Sequence, residues 1–171
     1  ENYIPERAIP KIFQIAERGK VNKKLFAGST INTPSMLCFE DALDSLKWVK
    51  SIGGLKETIK LSNTNLKAVE SKITNSSWLE FLSEEQSTRS CTSICLKVKN
   101  DVLEQYSSNE LKEKMNTFFS FLENENIAYD INSYRDAPLG VRIWGGATVD
   151  EKDIIILLDW IEWGFFNFIK S

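Results

Sequence analysis

The chain contains no histidine. That absence removes Ser-His and Cys-His nucleophile pairs, together with every histidine-ligated metal site. A glycine-rich phosphate loop is missing as well, because Gly53-Gly54 and Gly145-Gly146 fit neither the Walker pattern nor G-x-G-x-x-G. Hydrolase and nucleoside-triphosphatase readings lose most of their support. Cysteine is scarce: Cys38, Cys91 and Cys95 are three in number and lack metal-ligand spacing, so reduced thiols fit better than disulfides or zinc. No long apolar run is present either. Residues 154–169, the most apolar stretch, are interrupted by Asp159, Glu162 and Asn167 and are too short to span a bilayer, and no early segment resembles a signal peptide. A cytoplasmic protein without a membrane partner is expected. A basic surplus is also lacking: the formal charge is −3 and the lysines are scattered among acidic neighbours, which argues against nucleic acid as a partner.

What is present is an ordinary globular composition. With 171 residues, 42% hydrophobic and 26% charged, the chain can bury a sizeable core, as one domain or as one domain with a piece of another. It starts at Glu1 rather than methionine, in a proline-punctuated stretch with Ile4-Pro5 and Ile9-Pro10 that reads as extended and as the middle of something. A trimmed or partial protein is expected.

The turn Thr30-Ile31-Asn32-Thr33-Pro34-Ser35 is the most informative segment. Proline at the first helical position gives up no hydrogen bond and arrives with its φ already helical, which makes Thr33 the expected N-cap and Pro34 the first helical residue. A helix N-terminus presents unpaired NH groups and a partial positive charge, so an anion near Thr33 could collect backbone, hydroxyl and Asn32 amide donors. An ordinary capped helix without a ligand explains the same spacing.

Further on, Leu43, Leu46, Val49 and Ile52 recur at helical spacing up to Gly53-Gly54, a stop or kink, and Leu55, Ile59, Leu66 and Val69 continue as the stripe of a second helix. The two helices can form one long bent connector. Residues 92–98 change to alternation, with Thr92, Ile94, Leu96 and Val98 on one face, and predict a half-buried strand. Ser107 and Glu110 have capping-box spacing ahead of a helix marked by Leu111, Met115, Phe118 and Leu122. Strands are predicted at 127–131 and 140–144, the latter with Val141 and Ile143 on one face and Arg142 and Trp144 on the other. Thr148 and Glu151 form a second capping box that opens a helix with Ile154, Leu158, Ile161 and Phe165 inward. This order gives an α+β unit, helices packed on one face of a small, mostly antiparallel sheet.

Arg142 is the residue that composition does not explain. A guanidinium in a short apolar strand is partly desolvated and needs an anionic partner. A ligand carboxylate would match its fork, but a solvent-facing edge position or an internal acid such as Asp130 fits the spacing as well. Arg135, preceded by Tyr134, offers a second cationic group, and two arginines on one cleft would suit a substrate with two negative ends.

These residues carry a resemblance. Residues 28–37 (Gly-Ser-Thr-Ile-Asn-Thr-Pro-Ser-Met-Leu), Glu40-Asp41, residues 51–55, Arg89-Ser90-Cys91-Thr92-Ser93, residues 128–131, Tyr134-Arg135-Asp136-Ala137-Pro138 and residues 140–148 (Gly-Val-Arg-Ile-Trp-Gly-Gly-Ala-Thr) occur in the order seen in the C-terminal part of the phosphoserine aminotransferases. The likeness runs from about Pro10 to Phe165. It implies a pyridoxal 5'-phosphate enzyme, a homodimer in the complete form, that moves an amino group between glutamate and 3-phosphohydroxypyruvate in serine biosynthesis. By resemblance, Asn32 and Thr33 reach the cofactor phosphate held by the other subunit, and Arg142 grips the substrate carboxylate. Arg135 lies beside the substrate phosphate, with Tyr134 standing where many members carry histidine and the spacing to Arg142 longer by one.

The resemblance also divides the chain. Residues 1–52 correspond to the tail of the large cofactor-binding domain and the start of the interdomain helix, and residues 53–171 to the small C-terminal domain. The Schiff-base lysine of the family lies upstream of the matched region, so no catalytic residue is assigned here and the chain alone is expected to be inactive. Two other readings stay open. One is a non-catalytic α+β binding or scaffold module whose surface includes Arg135 and Arg142, the other an aminotransferase with a different oxo-acid acceptor.

Overall fold

A computed structural model describes residues 7–17 and 19–171. Ile4-Pro5, read above as extended, lie outside them; Pro10 is extended, with φ −51° and ψ 140°. The chain divides into Glu1–Trp48 and Val49–Ser171.

In the first unit, strands β1 (Ala16–Glu17) and β2 (Lys20–Val21) pair antiparallel, and a 3-10 turn at Leu25–Ala27 ends at Gly28, whose φ of 88° suits glycine. Helix α1, Met36–Ser51, begins here and runs across the division. It starts two residues later than the sequence predicted. Ser35, not Thr33, is the cap: its Oγ accepts from the NH of Cys38 at 3.5 Å and its carbonyl from the NH of Phe39 at 3.3 Å. Serine caps at least as well as threonine, and with Ser35 making the cap contacts the proline precedes the cap instead of opening the helix.

Gly53 and Gly54 follow with φ of 114° and 73°. Two successive left-handed residues are a stop and not a bend within one helix. Helix α2, Gly54–Ile73, then turns Ser62, Asn65, Ala68, Val69 and Ile73 inward. The expected apolar stripe holds only in its second half, because Leu55 and Ile59 are 73% and 52% exposed.

The second unit is built on an antiparallel sheet of order β3–β4–β5, comprising Leu79–Phe81, Ser93–Val98 and Gly140–Trp144. Alternation decides its faces. Ile94, Leu96, Val98, Val141 and Ile143 are buried on one side, while Ser93, Cys95, Lys97, Arg142 and Trp144 lie on the other. After the short helix α3 (Asn100–Leu103), α4 (Ser108–Asn124) and α5 (Glu151–Gly164) cover the apolar side with Leu111, Met115, Phe118 and Leu122, and with Ile154, Leu158 and Ile161. Each such side chain contributes roughly 1.5–3 kcal/mol through burial. Ser107 caps α4 as predicted, its hydroxyl accepting from the NH of Glu110 at 3.3 Å.

Two expectations fail locally. Residues 127–131 are not a strand: Asn126 and Asp130 adopt φ of 56° and 51°, which turns the chain. What survives is an isolated bridge from Asn132 to Val141 and a bond from the Arg142 NH to the Ile131 carbonyl at 2.8 Å. Thr148 does not cap α5. Its hydroxyl accepts from the indole Nε1 of Trp144 at 2.9 Å, and Asp150 occupies the cap position without a side-chain bond to the NH groups of the helix end. The aromatic donor on the adjacent strand end engages the oxygen that a capping box would use.

Candidate functional site

Strand β5 places Arg142. Val141 and Ile143 are committed to the core, so period two sends the arginine to the opposite face, beside Cys95 on β4. Its side chain is 22% exposed, and the desolvated cation has found local partners. Nη2 donates to Oδ2 of Asp130 at 2.6 Å and to the Asp130 carbonyl at 3.1 Å, while Cζ lies 4.7 Å from the ring centroid of Tyr134. Nε has no acceptor among the described residues. The left-handed turn at Asp130 aims both its oxygens at one nitrogen. The hydrogen bond to Asp130 raises the guanidinium pKa above its ordinary value against the opposing effect of burial, with further charge support from Asp130 and Tyr134. Of the readings left open by the sequence, the internal acid is thus the partner in this chain. Asp130 itself is 85% exposed, so the pair is worth only about 0.2–1 kcal/mol.

Tyr134 and Arg142 are brought together; Arg135 stands apart from them. Its side chain is 91% exposed, and Nε and Nη2 each reach a carboxylate oxygen of the adjacent Asp136 at 3.3 Å. The turn that carries it is closed by the Ala137 NH donating to the Tyr134 carbonyl at 3.0 Å.

Asn32 and Thr33 belong to the first unit, Arg142 to the second. Both are exposed, and neither side chain makes a hydrogen bond among the described residues. One amide and one hydroxyl therefore stand free in the loop ahead of α1, while Ser35 satisfies the helix end. This donor set is neutral and suits a phosphate oxygen.

Sequence reasoning missed Asn65. It is buried on α2, and its Nδ2 donates toward the carbonyls of Gly145, Gly146 and Val149 at 3.0, 3.2 and 3.0 Å, tying the helix to the turn that follows Arg142 and Trp144. The available signal was its position four residues before Val69, which puts an amide on the apolar side of the helix. Among the described residues no helix is long and apolar enough to cross a membrane, and no group of three or more Cys, Asp and Glu side chains is placed to hold a metal ion.

Over 170 residues, 99% of its length, the chain is 49% identical to the phosphoserine aminotransferase of Methanosarcina barkeri. It is homologous to phosphoserine aminotransferase. The phosphoserine aminotransferase of Methanosarcina mazei is 48% identical over 165 residues, 96% of the chain. The chain spans 43% and 42% of the length of these two relatives, a share in keeping with the C-terminal part that the motifs resemble. Among solved structures, a phosphoserine aminotransferase studied for radiation damage of its Schiff base superimposes with a TM-score of 0.66. That match covers 84% of this chain and 36% of the other at 19% identity, and it is a likeness of fold. The α+β class read from the sequence holds. No family model matches the chain.

Proposed function

We propose that this chain is the C-terminal part of a phosphoserine aminotransferase which, joined to the rest of the enzyme, transfers an amino group between glutamate and 3-phosphohydroxypyruvate to give O-phosphoserine. Residues 1–52 are then the tail of the large domain with the start of the interdomain helix, and residues 53–171 the small domain. The enzyme is a cytoplasmic homodimer of serine biosynthesis. Its cofactor, pyridoxal 5'-phosphate, supplies the electron sink when bound.

This chain's residues bind and orient. Asn32 and Thr33 donate to the phosphate of the cofactor held by the other subunit, a role supported by their free, exposed amide and hydroxyl. Arg142 receives the carboxylate common to both substrates. Arg135, whose only partner among the described residues is the flexible carboxylate of its neighbour Asp136, turns to the substrate phosphate, with Tyr134 holding the plane of the Arg142 guanidinium. The observation that carries the reading is Arg142 itself: a half-desolvated cation on a strand whose fork is engaged, among the described residues, at one nitrogen by the carbonyl and the exposed carboxylate of Asp130.

The test is Arg142→Lys in the full-length enzyme. A charge-assisted bidentate contact is lost, so KM for phosphohydroxypyruvate and for glutamate should each rise about tenfold or more. Unchanged KM values for both would overturn the assignment.

A further inference from the structure

We propose that the Asp130 carboxylate is a built-in competitor for the substrate carboxylate at Arg142, and so sets the enzyme's affinity for both of its acidic substrates; this rests on the reading of Arg142 given above. Asp130 offers Nη2 two acceptors of different character. The backbone carbonyl, at 3.1 Å, is fixed by the left-handed turn. The carboxylate, at 2.6 Å, is 85% exposed and bonded to nothing else among the described residues, so it can swing into water without disturbing the fold. A ligand carboxylate replaces it like for like. The carbonyl and the Tyr134 ring, 4.7 Å from Cζ, keep the guanidinium oriented during the exchange. When the ligand leaves, Asp130 returns, and the half-buried cation is never left bare.

The competition has a specific signature. An internal anion that must be displaced weakens every carboxylate ligand by one common factor, and it leaves untouched the steps after binding. A residue that merely positioned Arg142 would act in the opposite direction.

In the full-length enzyme, Asp130→Gly removes the carboxylate while keeping a residue at ease at φ 51°. KM for phosphohydroxypyruvate and KM for glutamate should fall together by about two- to fivefold with kcat unchanged, the factor expected from the loss of an exposed ion pair. Equilibrium binding of 3-phosphoglycerate, which carries a carboxylate and a phosphate but no oxo group, should tighten equally. Asp130→Asn, which retains a neutral acceptor, should shift the same constants less. Unchanged or raised KM values in Asp130→Gly overturn the proposal. If Arg142→Lys also leaves KM unchanged, the reading of Arg142 falls first; if it raises KM while Asp130→Gly does not lower it, only the competition is wrong.

Discussion

The side-chain amide of Asn65 points at the carbonyl oxygen of Gly145 from 3.0 Å, across 80 residues of sequence. Its two protons are shared with the carbonyls of Gly146 and Val149 as well, so one buried residue holds three acceptors of the turn that ends β5. Replacement by leucine, similar in size and without donors, leaves buried carbonyls unpaired. Asn65→Leu should lower the unfolding free energy by about 3 kcal/mol, the upper end for a lost buried partner, read as a shift of the urea midpoint at unchanged slope. A shift close to zero would mean that water reaches these carbonyls.

Gly140 opens β5 against the backbone of β4. A Cβ added there would run into the carbonyl oxygen of Leu96 and lie 2.8 Å from the Cα of Lys97, both backbone atoms that cannot rotate aside. Gly140→Ala should therefore force the two strands apart at Lys97 and cost about 1–3 kcal/mol or more, as overpacking does. Native-state hydrogen exchange should localise the loss to the NH groups at that end of the β4–β5 ladder. Faster exchange confined to the Trp144 end would contradict this.

Incubating the 171-residue chain with pyridoxal 5'-phosphate and borohydride should give no stoichiometric adduct at a single lysine. None of the described lysines is buried: Lys97, Lys99 and Lys114 are partly exposed and the others exposed, and Lys60, Lys72, Lys97 and Lys152 pair with Glu57, Asp159, Glu80 and Asp150. Mass spectrometry after proteolysis reads the result. One lysine modified in full, ahead of all others, would place the covalent chemistry in this chain.

Regular periodicity made much of the fold legible. Alternation located β4 within one residue and β5 to the residue, because both strands bury one face and each side chain's neighbour two positions on meets the same core. Ser107 and Glu110 marked the start of α4 because the cap is satisfied locally. Local pattern failed where a distant or competing partner decided the outcome. Thr148 has the spacing of a cap, yet Trp144 takes its hydroxyl. Residues 127–131 have the composition of a strand, yet Asp130 bends left-handed to meet Arg142. The three-residue β3 escaped notice because its register exists only through Val98, Lys97 and Leu96 on β4. At the candidate site, the sequence picked out Arg142 and named Asp130 among its possible partners, but it gave no sign that Tyr134 supports the guanidinium from its face while Arg135 turns away.

The pair of left-handed glycines at the junction of α1 and α2 has a kinetic consequence. Helical order spreads residue by residue through a continuous ladder, and Gly53-Gly54 interrupt it. Helix α1 has no buried residue in this chain, whereas α2 is anchored at Ser62, Asn65, Ala68, Val69 and Ile73. Fraying that starts at Met36 therefore dies out at the glycines, and two helices adjacent in sequence keep separate lifetimes, one set by its own ladder and the other by the core beneath it.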